Sequence, residues 1–351
     1  MAVLAQCHSS LLLFVGFGLA VAAIHYCLPV KWRFHWLLLV SACFYAGASG
    51  WMTFGLFGEA AWTWFCALRL ERQHEVRRNQ WLWFGVAPIV LVLVFFKYNG
   101  FFLENCGRVL AWLGLEFAGT GRLIMPLGIS YFTFKNISYL ADVYKAALPA
   151  ERNFVRYASY SVLFTQVTCG PIARYADWQQ GSPFQYKPLM FQQGFSAIFH
   201  GLFMKLVIAN RLAAYTGEIF HAPDGVPGLA LWLAAFFYAI QLYCDFAGYS
   251  YIAIGLTKIL GLPCRDNFHR PYLAKDIRDF WSRWHISLSS WLRDYVYIPL
   301  GGGRCPRWRK NLNVLVTFLV SGLWHGVGMN FVVWGLWHGL LNVLTPKIPP
   351  Q

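Results

Sequence analysis

Four runs of this chain, Leu11–Leu28, Trp81–Tyr98, Leu189–Tyr215 and Leu229–Leu260, stay mainly apolar for about as long as a helix needs to cross a membrane. Crossing a hydrocarbon core of roughly 30 Å takes about twenty such residues. Composition agrees: 58% of the 351 residues are apolar, 19% are aromatic and 13% are charged. That charged fraction is about half the roughly 25% of an average soluble domain. Shorter or interrupted candidates lie at Trp36–Leu56, Ala60–Leu70, Leu123–Leu140, Tyr157–Ile172 and Leu312–Leu344. The expected fold class is an all-α polytopic membrane protein with roughly eight to eleven membrane helices.

Met1–Ser10 has no basic n-region, and no small-residue cleavage site follows a short apolar core, so the first run is expected to remain a helix. Leu4-Ala5-Gln6-Cys7 has the outline of a lipidation box but no hydrophobic segment ahead of it. Nine cysteines stand singly at 7, 27, 43, 66, 106, 169, 244, 264 and 305, with no C-x-x-C pair. They read as small core hydrophobes, and no metal site is expected.

The net charge of +14 does not by itself point to nucleic acid. In a membrane protein, basic residues collect in cytoplasmic loops. Ten Lys or Arg stand against four Asp between Arg265 and Lys310, and Arg69, Arg72, Arg77 and Arg78 form a second cluster. Both are assigned to the cytoplasmic side. Between them, Tyr98–Gly121 reads as either a membrane segment or an interfacial one, so the orientation of each span stays open.

The run from Asn311 to Leu344 has 34 residues. As one helix it would reach about 50 Å at 1.5 Å per residue, too long for one crossing. Gly326-Val-Gly328-Met-Asn330 is its natural breaking point. Irregular backbone at membrane depth needs protein or a water-filled cavity around it, so a break there implies a cavity. His325 would close the first half-helix, where the carbonyl dipoles suit a histidine asked to accept a proton. Hydrogen bonding to a neighbouring helix is the structural alternative. The word Gly322-Leu-Trp-His-Gly326 recurs as Gly335-Leu-Trp-His-Gly339, thirteen residues on. On an unbroken helix that offset is about 220°, which would turn the two histidines to different sides.

Upstream, residues 279–295 form a helical wheel. Trp281, Trp284, His285, Leu288, Trp291, Leu292 and Tyr295 share an apolar face, opposite Asp279, Ser282, Arg283, Ser289, Ser290 and Arg293. A basic helix with a tryptophan belt can simply lie in the interface, and the histidine on its apolar side is the reason to look further. Asp245 lies in the middle of the Leu229–Leu260 run, with Gln241 and Tyr249 one turn to either side. A carboxylate there should line a polar interior or pair with a cation. Pro299-Leu-Gly-Gly-Gly-Arg304, followed by Arg307, Arg309 and Lys310, could offer backbone N–H groups and charge to phosphates. A positive-inside loop explains it nearly as well.

These words together carry a resemblance. Met125-Pro-Leu-Gly-Ile-Ser-Tyr131, Gly170-Pro-Ile-Ala-Arg-Tyr175, Tyr243-Cys-Asp-Phe-Ala-Gly-Tyr-Ser250, Asn267-Phe-His-Arg-Pro-Tyr272, Asp279–Gly302 and Gly322–Gly326 occur in one order across roughly residues 10–345. The chain resembles the membrane-bound O-acyltransferase family, in its bacterial branch that O-acetylates alginate and other polysaccharides. The resemblance implies a helical bundle with a transmembrane funnel or tunnel, and a single domain over 1–351. Within it, 260–310 would be a basic, cytoplasmic-side amphipathic region, and 311–345 a broken helix carrying the catalytic histidine. It implies His325 as the catalytic histidine and His285 as its accompaniment. Asp245, Arg283, Trp324 and Asn330 become tunnel or substrate candidates, and Arg293 and Arg304 donor-binding candidates. Family members usually continue for a hundred or more residues with further membrane helices, where this sequence stops at Gln351. The D-F-x-G-Y-S word is commonly followed by an acidic residue, where this chain has Tyr251.

The implied chemistry is acyl transfer from a cytosolic thioester, acetyl-CoA or an acyl-carrier thioester, to a hydroxyl, with no bound cofactor. His325 would be the general base and His285 would orient the donor or stabilise the oxyanion. No Ser-His-Asp or Cys-His arrangement is evident, so direct transfer is simpler than an acyl-enzyme on serine or cysteine; an acyl-histidine relay stays open. The resemblance also implies a bacterial inner (cytoplasmic) membrane, a polysaccharide acceptor and a periplasmic esterase-like acetyltransferase as partner. Transfer of D-alanyl or another acyl group to teichoic acid or peptidoglycan is the alternative within the class. A transporter without covalent chemistry is the alternative outside it, although no pair of matching interrupted helices is seen in the two halves.

Overall fold

The computed structural model describes residues 2–115, 125–167, 170–180 and 186–345. The side chains of Cys7 and Cys169, the end of the Tyr98–Gly121 segment and the last six residues lie outside the described part. Among the described residues the fold is helical, with no strand. Helices α1 (Ala2–Cys27), α2 (Arg33–Ser49), α3 (Thr53–Glu71), α4 (Glu75–Trp112) and α5 (Ile129–Tyr144) lead into the short α6 (Phe154–Ser161), α7 (Phe164–Val167) and α8 (Tyr175–Gln180). Next come α9 (Pro188–Leu202), a π-helical turn at Phe203–Ala209, α10 (Asn210–His221) and α11 (Gly228–Ile259). The last third holds α12 (Ile277–Arg283), α13 (Ile286–Leu292), a second π-helical turn at Arg293–Tyr297, α14 (Arg307–His325) and α15 (Met329–Leu344).

Among the described residues, five helical stretches are long and apolar enough to cross a membrane: Ser10–Cys27, Val30–Glu71, Glu75–Trp112, Pro188–His221 and Gly228–Ile259. The second contains both α2 and α3, and α15 is a shorter apolar helix. Within the Tyr98–Gly121 segment, α4 continues without a break as far as Trp112. Its 38 residues reach about 57 Å at 1.5 Å per residue, well past one hydrocarbon thickness. Large apolar side chains such as Phe84, Leu91, Phe95, Trp232 and Phe236 face outward, as a surface bathed in lipid permits. The same reason corrects the reading of the cysteines as core residues. Cys66 and Cys244 are buried, whereas Cys27, Cys43 and Cys106 are exposed on their helices.

Close backbone approach holds the bundle together in two places. Helix α9 and the turn after it run antiparallel to α11, with Gly194 opposite Gly255 and Gly201 opposite Gly248. Each helix therefore offers a glycine at a seven-residue interval, the small-residue interface that membrane helices use when packing alone must drive association. The second place is the α14–α15 hairpin, where Gly322 and Gly335 meet nearly Cα to Cα. These are the first glycines of the two G-L-W-H-G words, so the local echo is two halves of one helix contact.

A buried polar network joins α3, α5 and α6. Glu59 accepts hydrogen bonds from Asn136 Nδ2 at 3.0 Å and Thr133 Oγ1 at 3.3 Å, while Asn136 Oδ1 accepts from Tyr157 and Ser161, each at 2.8 Å. Fully buried Lys135 donates to the Tyr160 carbonyl and to Gln166 Oε1. Beside it, α13 docks on α5: Trp291 stacks on Phe134 with centroids 4.0 Å apart, and its indole N–H donates to the Phe134 carbonyl at 2.9 Å. That contact sets the height at which the segment carrying His285 meets α14.

Candidate active site

The wheel over 279–295 treats the segment as one helix, and the structure corrects this. Helix α12 ends at Arg283, Trp284 is extended, and His285 takes φ 45° and ψ 53° in the left-handed region before α13 starts at Ile286. The cause is a strap of residues 264–273 lying across the kink. His269 N–H donates to the Arg283 carbonyl and Ile286 N–H to the Asn267 carbonyl, both at 2.9 Å, so the strap supplies the backbone partners that a continuous helix would have made. His285 is 1% exposed and its ring sits against Phe246 and Phe268, at centroid distances of 4.8 and 6.4 Å.

His325 is the last residue of α14. Gly326 continues in extended backbone and Gly328, at φ 145°, turns the chain into α15. Among the described residues no hydrogen bond holds the His325 ring, which is bracketed by Trp324 at 4.7 Å and Trp334 at 4.8 Å. Trp324 also contacts His285 at 6.0 Å, so one indole touches both imidazoles. That indole is packed by Phe134 at 5.8 Å and Tyr131 at 6.1 Å, with the Lys97 ammonium over its ring at 5.6 Å. Its Nε1–H is buried and has no hydrogen-bond partner among the described residues. From α4, the Tyr98 hydroxyl donates to the Leu323 carbonyl at 2.7 Å and satisfies one of the free carbonyls at the end of α14.

His338, in the second W-H-G word, does not point away from His325. The break at 326–328 folds α15 back on α14, and the Trp334 ring lies 4.8 Å from His325 and 4.8 Å from His338. The 220° separation holds only for an unbroken helix. Trp281 extends the row, 5.2 Å from His338 and 5.7 Å from Trp334.

Trp281 also lines a cavity of about 670 Å³ between α12, α13, the second π turn, α14 and the end of α15. Arg278, Arg293 and Lys310 stand on its wall, and no carboxylate does. Ser321, one turn before His325, lies on the same wall. Neither histidine lines the cavity itself. Arg278 additionally donates twice to the Asn342 carbonyl, at 2.8 and 3.1 Å, tying α12 to the end of α15.

The other candidates fall in different places. Asp245 is ion-paired with Lys205 of the first π turn, and the Lys205 ammonium lies 5.0 Å from the Tyr249 ring centre. Gln241 accepts instead from Thr216 at 2.5 Å. Arg283 is bound to Asp279 at 2.7 Å. Hydrogen bonding to Arg283, then to the Lys275 backbone N–H, holds the Asp279 carboxyl down at about 2. Asn330 is exposed in the first turn of α15. Arg293 reaches the cavity while bonded to Asp294 at 2.8 Å, whereas Arg304 is exposed and outside it. The glycine loop does not form an open phosphate cradle, because the N–H groups of Gly301, Gly302 and Arg304 donate to the carbonyls of Ile298, Tyr297 and Gly301. Among the described residues no group of three or more His, Cys, Asp or Glu could hold a metal ion.

Sequence reasoning passes over Asn267, Lys97, Lys205 and Trp334 as site residues, sets His338 apart from His325, and offers Lys310 only to phosphates beside the glycine loop. Asn267 stands inside a quoted word, and Lys97 is a cation within an apolar run, the kind of residue expected to face a polar interior. Lys205 likewise is a cation within the apolar run Leu189–Tyr215, and Trp334 has no mark in a linear reading.

The family model of the membrane-bound O-acyltransferases matches residues 127–344. The chain is 36% identical over 312 residues to the probable alginate O-acetylase AlgI of Azotobacter vinelandii, covering 86% of this chain and 61% of that protein. It is 34% identical over 324 residues to the peptidoglycan O-acetyltransferase of Helicobacter pylori, covering 84% of this chain and 60% of the relative. The teichoic acid D-alanyltransferase of Bacillus subtilis is 32% identical over 218 residues, 59% of this chain and 55% of its own length. The chain thus spans about three-fifths of the length of the curated relatives it matches. With a family model covering more than half of it, a multi-pass helical bundle, and the two histidines of the family's words meeting on one tryptophan, the chain belongs to the membrane-bound O-acyltransferase family.

Proposed function

We propose that this chain transfers an acetyl group from a cytosolic thioester to a hydroxyl, moving it across the membrane for O-acetylation of an extracytoplasmic polysaccharide, an alginate-like polymer first. The observation that carries the reading is His325 itself. It ends a half-helix, has no hydrogen bond to its ring among the described residues, and lies between two tryptophans one turn of α14 beyond the cavity-lining Ser321. A histidine with an uncommitted ring is free to act as general base. It takes the hydroxyl proton as the oxygen attacks the thioester carbonyl; the C–O bond forms, the C–S bond breaks, and the thiolate leaves to be protonated. Such a base typically contributes about 10²–10⁴-fold.

The cavity supports a donor carrying phosphates, because three cations and no carboxylate line it. Acetyl-CoA and a carrier-bound acyl arm share that chemistry. The buried, unpartnered N–H of Trp324 supports a donor to the developing oxyanion, beside the Lys97 charge. Of the two roles open to His285, orienting the donor suits either ring state, while stabilising the oxyanion needs an N–H on its free nitrogen.

A bacterial inner membrane and a periplasmic esterase-like acetyltransferase that finishes the polymer belong to the same proposal. Similarity to a teichoic acid D-alanyltransferase favours D-alanyl transfer as the second reading. The test is label transfer from [¹⁴C]acetyl-CoA supplied to the cytosolic side of vesicles holding wild type or His325→Ala. Label reaching an acceptor only with wild type supports the proposal. Equal transfer by both removes His325 from the chemistry, and label from D-alanine alone favours the second reading.

A further inference from the structure

The strap that kinks the chain at His285 also fixes which ring nitrogen carries the proton. Asn267 is 1% exposed, and its Oδ1 is identified as oxygen by its partner: the Ser287 backbone N–H, which can only donate, reaches it at 3.2 Å. The Ser287 hydroxyl donates to the same atom at 2.8 Å, while Asn267 Nδ2 donates to Ser250 Oγ at 3.1 Å. The amide therefore has one orientation that satisfies its neighbours. His285 Nδ1 lies 3.2 Å from this Oδ1. Ser287 Oγ also lies 3.5 Å from Nδ1, but its hydrogen is committed to the shorter 2.8 Å bond to Oδ1, and an amide oxygen has only lone pairs, so Nδ1 brings the hydrogen to its own contact with Oδ1. A neutral imidazole has a single N–H, which leaves Nε2 a lone pair. Nε2 is buried and has no hydrogen-bond partner among the described residues.

We propose that Asn267 is a positioning residue that holds His285 as its Nδ1–H tautomer, so that Nε2 faces the reaction as a hydrogen-bond acceptor. This rests on the acyl-transfer reading above and narrows it. A neutral His285 of this kind orients a substrate hydroxyl or an amide N–H of the donor arm. It cannot stabilise an oxyanion, and that part falls to the unused Trp324 N–H. Protonating Nε2 as well as Nδ1 would bury an imidazolium against Phe246, Phe268 and Trp324, an environment that penalises charge.

The backbone gives an independent reason for the arrangement. A non-glycine residue held at φ 45° is strained and persists only where its surroundings enforce it. Asn267 enforces it twice, through its carbonyl on Ile286 N–H and its side chain on Ser287 N–H. An asparagine serving only to cap α13 would have no need of the histidine contact. A buried nitrogen left unpartnered beside the other site residues calls for an explanation, and a lone pair kept for a donor N–H or O–H supplies one.

The experiment uses the full chain in nanodiscs with ¹⁵N-labelled histidine, the His285 signals being assigned among the ten histidines by their loss in His285→Gln. Wild type is expected to show His285 protonated at Nδ1 and unprotonated at Nε2. Asn267→Asp keeps an acceptor and should keep both that spectrum and acyl transfer to within roughly tenfold. Asn267→Leu should release the proton to Nε2 and lower transfer by about 10²–10⁴-fold, the range of a lost acid–base arrangement. If Asn267→Leu does not fold, the wild-type and Asn267→Asp spectra still decide the assignment. Nε2 protonation in wild type, or equal losses in both variants with an unchanged tautomer, overturns the proposal. Because the spectrum needs no turnover, a silent activity assay in wild type counts against the acyl-transfer reading and not against Asn267.

Discussion

Gly201 and Gly248 face each other so closely that a β-carbon on Gly201 would lie 2.5 Å from the Gly248 carbonyl oxygen, and one on Gly248 would lie 2.9 Å from that of Gly201. Real β-carbons do not approach backbone this closely, and backbone cannot move aside as a flexible side chain can. Gly201→Val should therefore force α9 and α11 apart, at an overpacking cost of about 1–3 kcal/mol. Gly217→Ala, with open space around it, should be neutral. Thermal unfolding in detergent, followed by loss of the monodisperse peak, checks the pair. Equal melting of the two variants contradicts the contact.

The Lys205–Asp245 pair ties the π-helical turn after α9 to α11. Removing one partner leaves a charge without its counter-ion at membrane depth, so Lys205→Ala should destabilise more than the double variant Lys205→Ala/Asp245→Ala. A coupling of about 0.5–3 kcal/mol is expected from a double-mutant cycle of melting midpoints. Strict additivity would show that the two charges are independently solvated.

His325 and His338 share Trp334 but not a role. His325→Ala should lose acyl transfer by about 10²-fold or more, and His338 should not rescue it, because His325 alone ends α14 next to Trp324. His338→Gln is expected to retain most turnover. Vesicle label transfer ranks the two, and a larger loss in His338→Gln would move the base to the second word.

The cavity cations give a selective prediction. Lys310→Gln and Arg293→Gln should each raise the donor KM by about tenfold with kcat nearly unchanged, about 1.4 kcal/mol of binding apiece. Arg304→Gln, whose side chain lies outside the cavity, should not. Raised salt should reproduce the effect in wild type. A kcat loss with unchanged KM would place these residues with the chemistry instead.

Asp279 sets an acid limit on the segment before His285. Its carboxyl lies at about 2 in the fold against 3.8 unfolded, so the native state binds its proton less readily. The stabilisation is present above roughly pH 4 and is lost as pH falls towards 2. Asp279→Asn should melt below wild type at pH 7, and the gap should narrow between pH 5 and the lowest pH at which the protein stays soluble. A gap independent of pH would assign the effect to packing rather than to the Arg283 ion pair.

Much of the helix inventory could be read from the chain because each run carries its own evidence of length and polarity. Leu229–Leu260 became α11 within a residue at each end, and 34 residues from Asn311 could not cross once. The wheel over 279–295 misled for an equally physical reason. Its period is sound within α12 and α13, but the kink at His285 is imposed by a strap twelve or more residues upstream whose hydrogen bonds are not local. The glycine loop likewise has the right residues for a phosphate cradle, and only its turn geometry turns three of its N–H groups inward.

The sequence by itself determined that this is a helical membrane protein, which family it belongs to, and that a histidine stands at the end of the half-helix before Gly326. Those properties are written in run length, charge scarcity and short words, each sensed within one or two turns of chain. Only the tertiary structure decided that Trp324 touches both histidines, that His338 joins them through Trp334, that Lys205 answers Asp245, and that Asn267 holds His285 by one nitrogen. These depend on where helices cross, and crossing is set by glycines and side chains far apart in sequence that meet only when the bundle closes.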